Sequence, residues 1–199
     1  GKLIETIMAQ AMTDDAMELI WKTFAQSSGL ERYQCLARYA GRAKSWPEWR
    51  EKALAHIRND IAQNKKDVQS KSPWGRAYDH SLIVEIYLWE KNVEAAWSEA
   101  QKGGCAESFW LQLARKREAE HPGDAVTIYR RQIEPLLQQK NNHSYEQAVD
   151  YLGKICSLMT GMGRETEFNK DLLTLKTQWR HLRNFIKYVE CKKWGKVEG

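Results

Sequence analysis

Asp79, His80 and Ser81 are the three residue types of a hydrolase triad, in which a carboxylate orients a base and the base takes a hydroxyl proton. Here they are consecutive. On a helix, consecutive side chains point about 100° apart, so these three cannot converge on one substrate. Metal ligation needs histidines or cysteines at fixed offsets, and His56, His80, His121, His143 and His181 show no H-x-x-x-H or related spacing. Cys35, Cys105, Cys156 and Cys191 contain no C-x-x-C pair. An even count permits a disulfide framework, but a chain of 199 residues has core enough without one, so all four read as buried thiols in a reducing cytosol. Cys35 and Cys156 fall on apolar faces, where a thiol is buried and inert. Gly103-Gly104 and Gly161-Met162-Gly163 lack the preceding strand and the lysine of a phosphate loop. Glu118, Glu120 and Asp124 around His121 read as a solvated helix end. No catalytic, cofactor-binding or metal-binding residues are expected, and the chain is read as non-enzymatic.

A basic pattern remains. Lys176, Arg180, Arg183 and Lys187 step by four, three and four, which places them on one face of a helix as a positive ridge. From Lys176 to Gly199 there are seven basic and two acidic residues, so this segment holds the whole net charge of +5. One reading is a solvated face whose long stems cover the edge of the core. The other is a docking strip for phosphates or for an acidic partner helix. Against nucleic acid, no aromatic residues interleave with the ridge, and the remaining 175 residues are neutral.

The element carrying this ridge must be a helix, and so must nearly everything before it. Tyr145, Ala148, Val149, Leu152, Ile155, Cys156 and Met159 make one apolar face of a helix, with Ser144 and Gln147 at capping-box spacing. Gly161 and Gly163 interrupt it. Phe168, Leu172, Leu175, Trp179, Leu182, Ile186 and Val189 then form a second stripe, predicting one helix running to Val189. Two such helices fold back on each other to bury their stripes. Earlier segments repeat the pattern. Thr13 caps a helix to about Gln26, and Tyr33, Leu36, Ala37 and Ala40 face inward on the next. Ser45-Trp46-Pro47-Glu48 combines a capping box with a first-turn proline, and Trp49, Ala53, Ile57 and Ile61 follow. Leu82 to Trp89, Val93 to Ala100, Phe109 to Ala114 and Val126 to Leu137 supply further helices, with Pro135 predicting a kink or early end in the last.

The fold expected is all-α, built of helical-hairpin repeats similar to tetratricopeptide (TPR) repeats in an α-solenoid, because most helix starts fall 14 to 22 residues apart. A compact helical bundle is the alternative. Three regions are expected: N-terminal hairpins over 1–63, a polar loop or linker over 64–75, and C-terminal TPR-like repeats over 76–199. The hydrophobic fraction of 42% and charged fraction of 29% are those of a globular protein. Several of the nine tryptophans fall on the helical apolar faces. No apolar run approaches the roughly 20 residues that cross a bilayer and no signal peptide is visible, so a cytoplasmic location without a membrane partner is expected.

His121-Pro122-Gly123-Asp124-Ala125 leading to Ile128-Tyr129-Arg130, then Tyr145-Glu146-Gln147-Ala148-Val149 and Arg180-His181-Leu182-Arg183-Asn184-Phe185-Ile186, resemble the C-terminal helical region of bacterial SWIM zinc-finger proteins. The resemblance covers about the last 80 residues. That family's zinc module, a C-x-C pair followed by C-x-H, has no counterpart here, so no metal-binding residue carries over. The resemblance implies the helical part of a longer protein, in a family whose zinc module binds nucleic acid or protein. The function expected is a non-catalytic scaffold that binds a protein or peptide. A nucleic-acid-associated module using the basic C-terminal helix is the alternative.

Overall fold

The computed structural model describes residues 15–71, 80–192 and 194, apart from the side chains of 64–71. The fold is all-α, with ten helices and no strand among the described residues. In chain order they are α1 (15–26), α2 (Leu30–Arg42), α3 (Trp46–Lys71), α4 (Ser81–Trp89), α5 (Val93–Gly103), α6 (Glu107–Arg117), α7 (Pro122–Gln138), α8 (Asn142–Gly161), α9 (Glu165–Gln178) and α10 (Arg183–Cys191). Thr13, the expected first cap, lies outside the described residues.

The chain divides into two compact units between Phe109 and Trp110, within α6. The expected boundary over 64–75 is therefore corrected. Residues 64–71 continue α3, and 72–75 lie outside the described residues. Asn64 to Lys71 is largely polar but contains no glycine or proline, and its three lysines and Gln69 are good helix formers. Pro135 likewise ends nothing, since α7 continues through it to Gln138.

In the first unit α2 packs against α3 and α4, and α4 against α5. Phe24, Tyr33, Leu36, Leu54, Ile83 and Ile86 are its largest fully buried side chains. In the second unit α8 is the centre, packing against α7, α9 and α10. Leu152, expected at the middle of its stripe, is 4% exposed. The cap of α8 differs from the expected one. Asn141 is the N-cap, its Oδ1 accepting the Ser144 N–H at 2.9 Å, while Ser144 is buried and donates to Gln139 Oε1 at 2.6 Å.

Four of the helix-to-helix turns share a three-residue form. Ala43-Lys44-Ser45, Glu90-Lys91-Asn92, Gln139-Lys140-Asn141 and Met162-Gly163-Arg164 each place a helix C-cap, a left-handed residue and the residue preceding the next helix. In three of them the last N–H returns five residues to a buried residue's carbonyl: Ser45 to Ala40 at 3.0 Å, Asn92 to Tyr87 at 2.9 Å and Arg164 to Met159 at 2.8 Å. This six-to-one bond satisfies a carbonyl that the helix end would leave unpaired. The left-handed position is glycine only at Gly163, and lysine at Lys44, Lys91 and Lys140.

Candidate functional site

The four basic residues singled out from the sequence do not form one ridge. Lys176 is in the last turn of α9, Arg180 in the turn after it, Arg183 opens α10, and Lys187 lies within α10. The single helix expected to run to Val189 is broken over 179–182, with the Leu182 N–H donating to the Trp179 carbonyl at 2.9 Å. Packing explains the break. By folding back, α10 reaches α8 and buries Phe185 completely, 6.1 Å from the Tyr145 ring. Its inner face becomes Leu182, Phe185 and Val189, and Ile186 is only half-buried. Asn184 Nδ2 donates to Asn142 Oδ1 at 2.9 Å, tying the same two helices. Lys176 meets Glu190 of α10 at 3.2 Å across the new hairpin. Arg180, Arg183 and Lys187 are exposed and make no ion pair among the described residues.

The second unit instead offers an apolar groove of about 340 Å³. Its floor is Ile133 of α7, Leu152 and Ile155 of α8, and Phe168 and Leu172 of α9, all buried. Leu175 and Trp179, half-buried, complete its wall. Arg130 stands on the rim, with its guanidinium on Asp171, 3.5 Å from Glu167 and 3.3 Å from Met159 Sδ. Arg164 forks onto Glu167 at 2.7 and 2.8 Å, holding that carboxyl below the usual carboxylate range. Two arginines thus balance two carboxylates, and Glu134 leaves the rim with an excess negative charge. None of the four predicted basic residues lines the groove. Its lining was legible only as core stripe, because a sequence stripe does not tell which stretch its neighbours leave uncovered.

Two carboxylates of the first unit have structural partners that the sequence did not disclose. Glu99 is 5% exposed; His80 Nδ1 lies 2.9 Å from it, and Arg58 and Lys102 each approach to 3.2 Å. Burial alone would raise its pKa, but the hydrogen bonds from His80 and Lys102 and the nearby charges hold it low. His80 thus works with a residue nineteen positions on, not with its sequence neighbours; Asp79 lies outside the described residues. Glu99 follows Ala96 by three on the inner face of α5, and a carboxylate in an apolar stripe was the available signal. Glu90 is gripped by both arms of the Arg50 guanidinium at 2.8 Å and by the Tyr33 hydroxyl at 2.7 Å.

The cysteines are all free thiols. Cys35, Cys105 and Cys156 are half-buried rather than buried, and Cys191 is exposed. Burial pushes the Cys156 thiol above its ordinary pKa, which disfavours the reactive thiolate. No helix among the described residues is long and apolar enough to cross a membrane. No protein-family model, no curated protein and no solved structure matches the chain.

Proposed function

We propose that the protein is a non-catalytic interaction module whose second unit takes an apolar anchor of a peptide partner into the groove between α7, α8 and α9. The observation that carries this reading is the groove itself, with a buried aliphatic and aromatic floor and half-buried Leu175 and Trp179 in its wall. Pockets of this kind hold the few residues that dominate a protein interface. The excess charge of Glu134 on an otherwise balanced rim suits a basic residue beside the anchor. The partner segment is therefore a short peptide with one large apolar side chain flanked by lysine or arginine.

The architecture belongs to the same proposal. We read the helices as hairpin repeats of the tetratricopeptide kind, and the turn form shared by 43–45, 90–92, 139–141 and 162–164 supports it. The resemblance of residues 121–186 to the helical region of SWIM zinc-finger proteins points the same way only indirectly, through that family's association with binding.

Selection of peptides from a random library on the protein tests the reading. The expected result is enrichment of an aromatic or leucine anchor beside a basic residue, and loss of binding in Leu175→Asp with the helical circular-dichroism signal unchanged. No enrichment, or binding that ignores Leu175→Asp, would overturn it. The nucleic-acid alternative rests on Arg180, Arg183 and Lys187. It requires duplex affinity that falls steeply with salt and is lost in an Arg180→Glu, Arg183→Glu double variant.

A further inference from the structure

Trp21 of α1 and Trp49 of α3 face each other at the surface of the first unit, with ring centroids 5.8 Å apart and planes inclined by 49°. Both are half-buried. The Lys52 ammonium, one turn along α3 from Trp49, sits 4.4 Å from one indole centroid and 4.3 Å from the other. Glu18, one turn before Trp21 on α1, brings a carboxylate oxygen 4.0 Å from the same ammonium. The walls are braced from behind. Fully buried Phe24 contacts the Trp21 ring at 5.7 Å, and His56 lies edge-on to it at 5.6 Å. His56 Nε2 is in turn 3.2 Å from the Ala25 carbonyl oxygen. Two indole faces and one carboxylate around one positive charge form a cation site, and the chain's own lysine is its occupant.

That occupant is not the best one. A primary ammonium is strongly hydrated, and Lys52, with a side chain 46% exposed, keeps much of that water. A quaternary ammonium has no N–H to hydrate and spreads its charge over methyl groups that lie flat on aromatic faces, so it gains more from the same two rings. We propose that the Trp21–Trp49 notch binds a quaternary ammonium group, with Glu18 as its counter-charge and Lys52 as a competitor the ligand displaces. The shared chemistry has two sources, a free small quaternary amine or a trimethylated lysine side chain.

The test follows the indole N–H signals of Trp21 and Trp49 by NMR as the full chain is titrated with tetramethylammonium chloride, against sodium chloride at equal ionic strength. A saturable shift confined to these two indoles is expected. Lys52→Ala removes the competitor and should lower the midpoint by about two- to five-fold, the size of an exposed cation–π contact. Glu18→Gln should raise the midpoint. Trp49→Leu should abolish saturation, its fold checked by the remaining indole signals. The proposal fails if neither wild type nor Lys52→Ala saturates, if sodium chloride produces the same shifts, or if Lys52→Ala weakens binding. Choline and a trimethyl-lysine peptide, with its unmethylated counterpart, separate the sources. A lower midpoint for the methylated peptide assigns the notch to a modified protein, and equal midpoints with choline assign it to the small amine.

Discussion

Gly103 closes α5 directly beneath the His80 ring, and a methyl group added there would overlap the imidazole. The ring has no easy retreat, because Glu99 holds Nδ1 and the His80 N–H donates to the Gly104 carbonyl at 2.9 Å. Gly103→Ala should therefore cost about 1–3 kcal/mol. Gly41, in α2 with open space around it, should gain about 0.4–1 kcal/mol as alanine. Urea melts of the two variants should move in opposite directions, and two equal shifts would contradict the packing described. The Glu90 site makes a second prediction at this scale. Burial raises its pKa, but the bonds from Arg50 and Tyr33 outweigh that, and the carboxyl ends below its ordinary value. A folded pKa below the unfolded one gives stability that is complete above the unfolded value and lost as pH falls through the folded one. Glu90→Gln should thus cost about 1–3 kcal/mol at pH 7. The gap to wild type should narrow as pH drops below about 4. A gap equal at pH 7 and pH 3 would refute the assignment. Glu90 was not legible beforehand, since an isolated glutamate in a sequence looks the same whether water or an arginine faces it, whereas Glu99 was marked by its place in the apolar stripe of α5.

At the scale of elements, the apolar stripes located the helices well and their ends poorly. The face from Tyr145 to Met159 is the core face of α8, and only its cap moved, from Ser144 to Asn141. The break over 179–182 has no glycine or proline to announce it, and the stripe through Trp179 and Ile186 continues across it in register. What the stripe does not show is tertiary: α10 folds back onto α8 and buries Phe185 completely beside Tyr145. The lysines in the turns were equally silent. Lys140 has φ 53°, a conformation that costs a residue with a Cβ about 1–2 kcal/mol, against a chain-entropy penalty for glycine of roughly half that. Lys140→Gly should therefore raise the melting temperature by about 1–4 °C. Gln139→Gly, one residue earlier in right-handed backbone, should lower it. Calorimetry on the pair checks both signs.

At the scale of the whole molecule, polarity proved a poor guide to where the chain divides. The stretch after Asn64 reads as a linker by composition, yet helix continues through Lys71 and the division falls between Phe109 and Trp110. A boundary inside a helix leaves no compositional trace, because the residues there obey the helical pattern on both sides. If the second unit holds its own core, residues 106–199, which keep α6 intact, should fold alone. A cooperative thermal transition with helical circular dichroism is the expected outcome. A fragment without a transition would show that its core depends on the first unit.

The central position of α8 also bears on time. Its partners α7, α9 and α10 all lie within two helices of it along the chain, so its contacts close short loops and form early. The α7–α8 pair, joined by the stacked rings of Tyr129 and Tyr151 at 5.5 Å, needs only a three-residue connection. The return of α10 onto α8 must wait for α9. Stopped-flow kinetics would register that order, with Tyr151→Ala slowing folding and Phe185→Leu chiefly quickening unfolding. If that order holds, α10, which bears Arg183 and Lys187, packs last and is the first helix of the second unit to open.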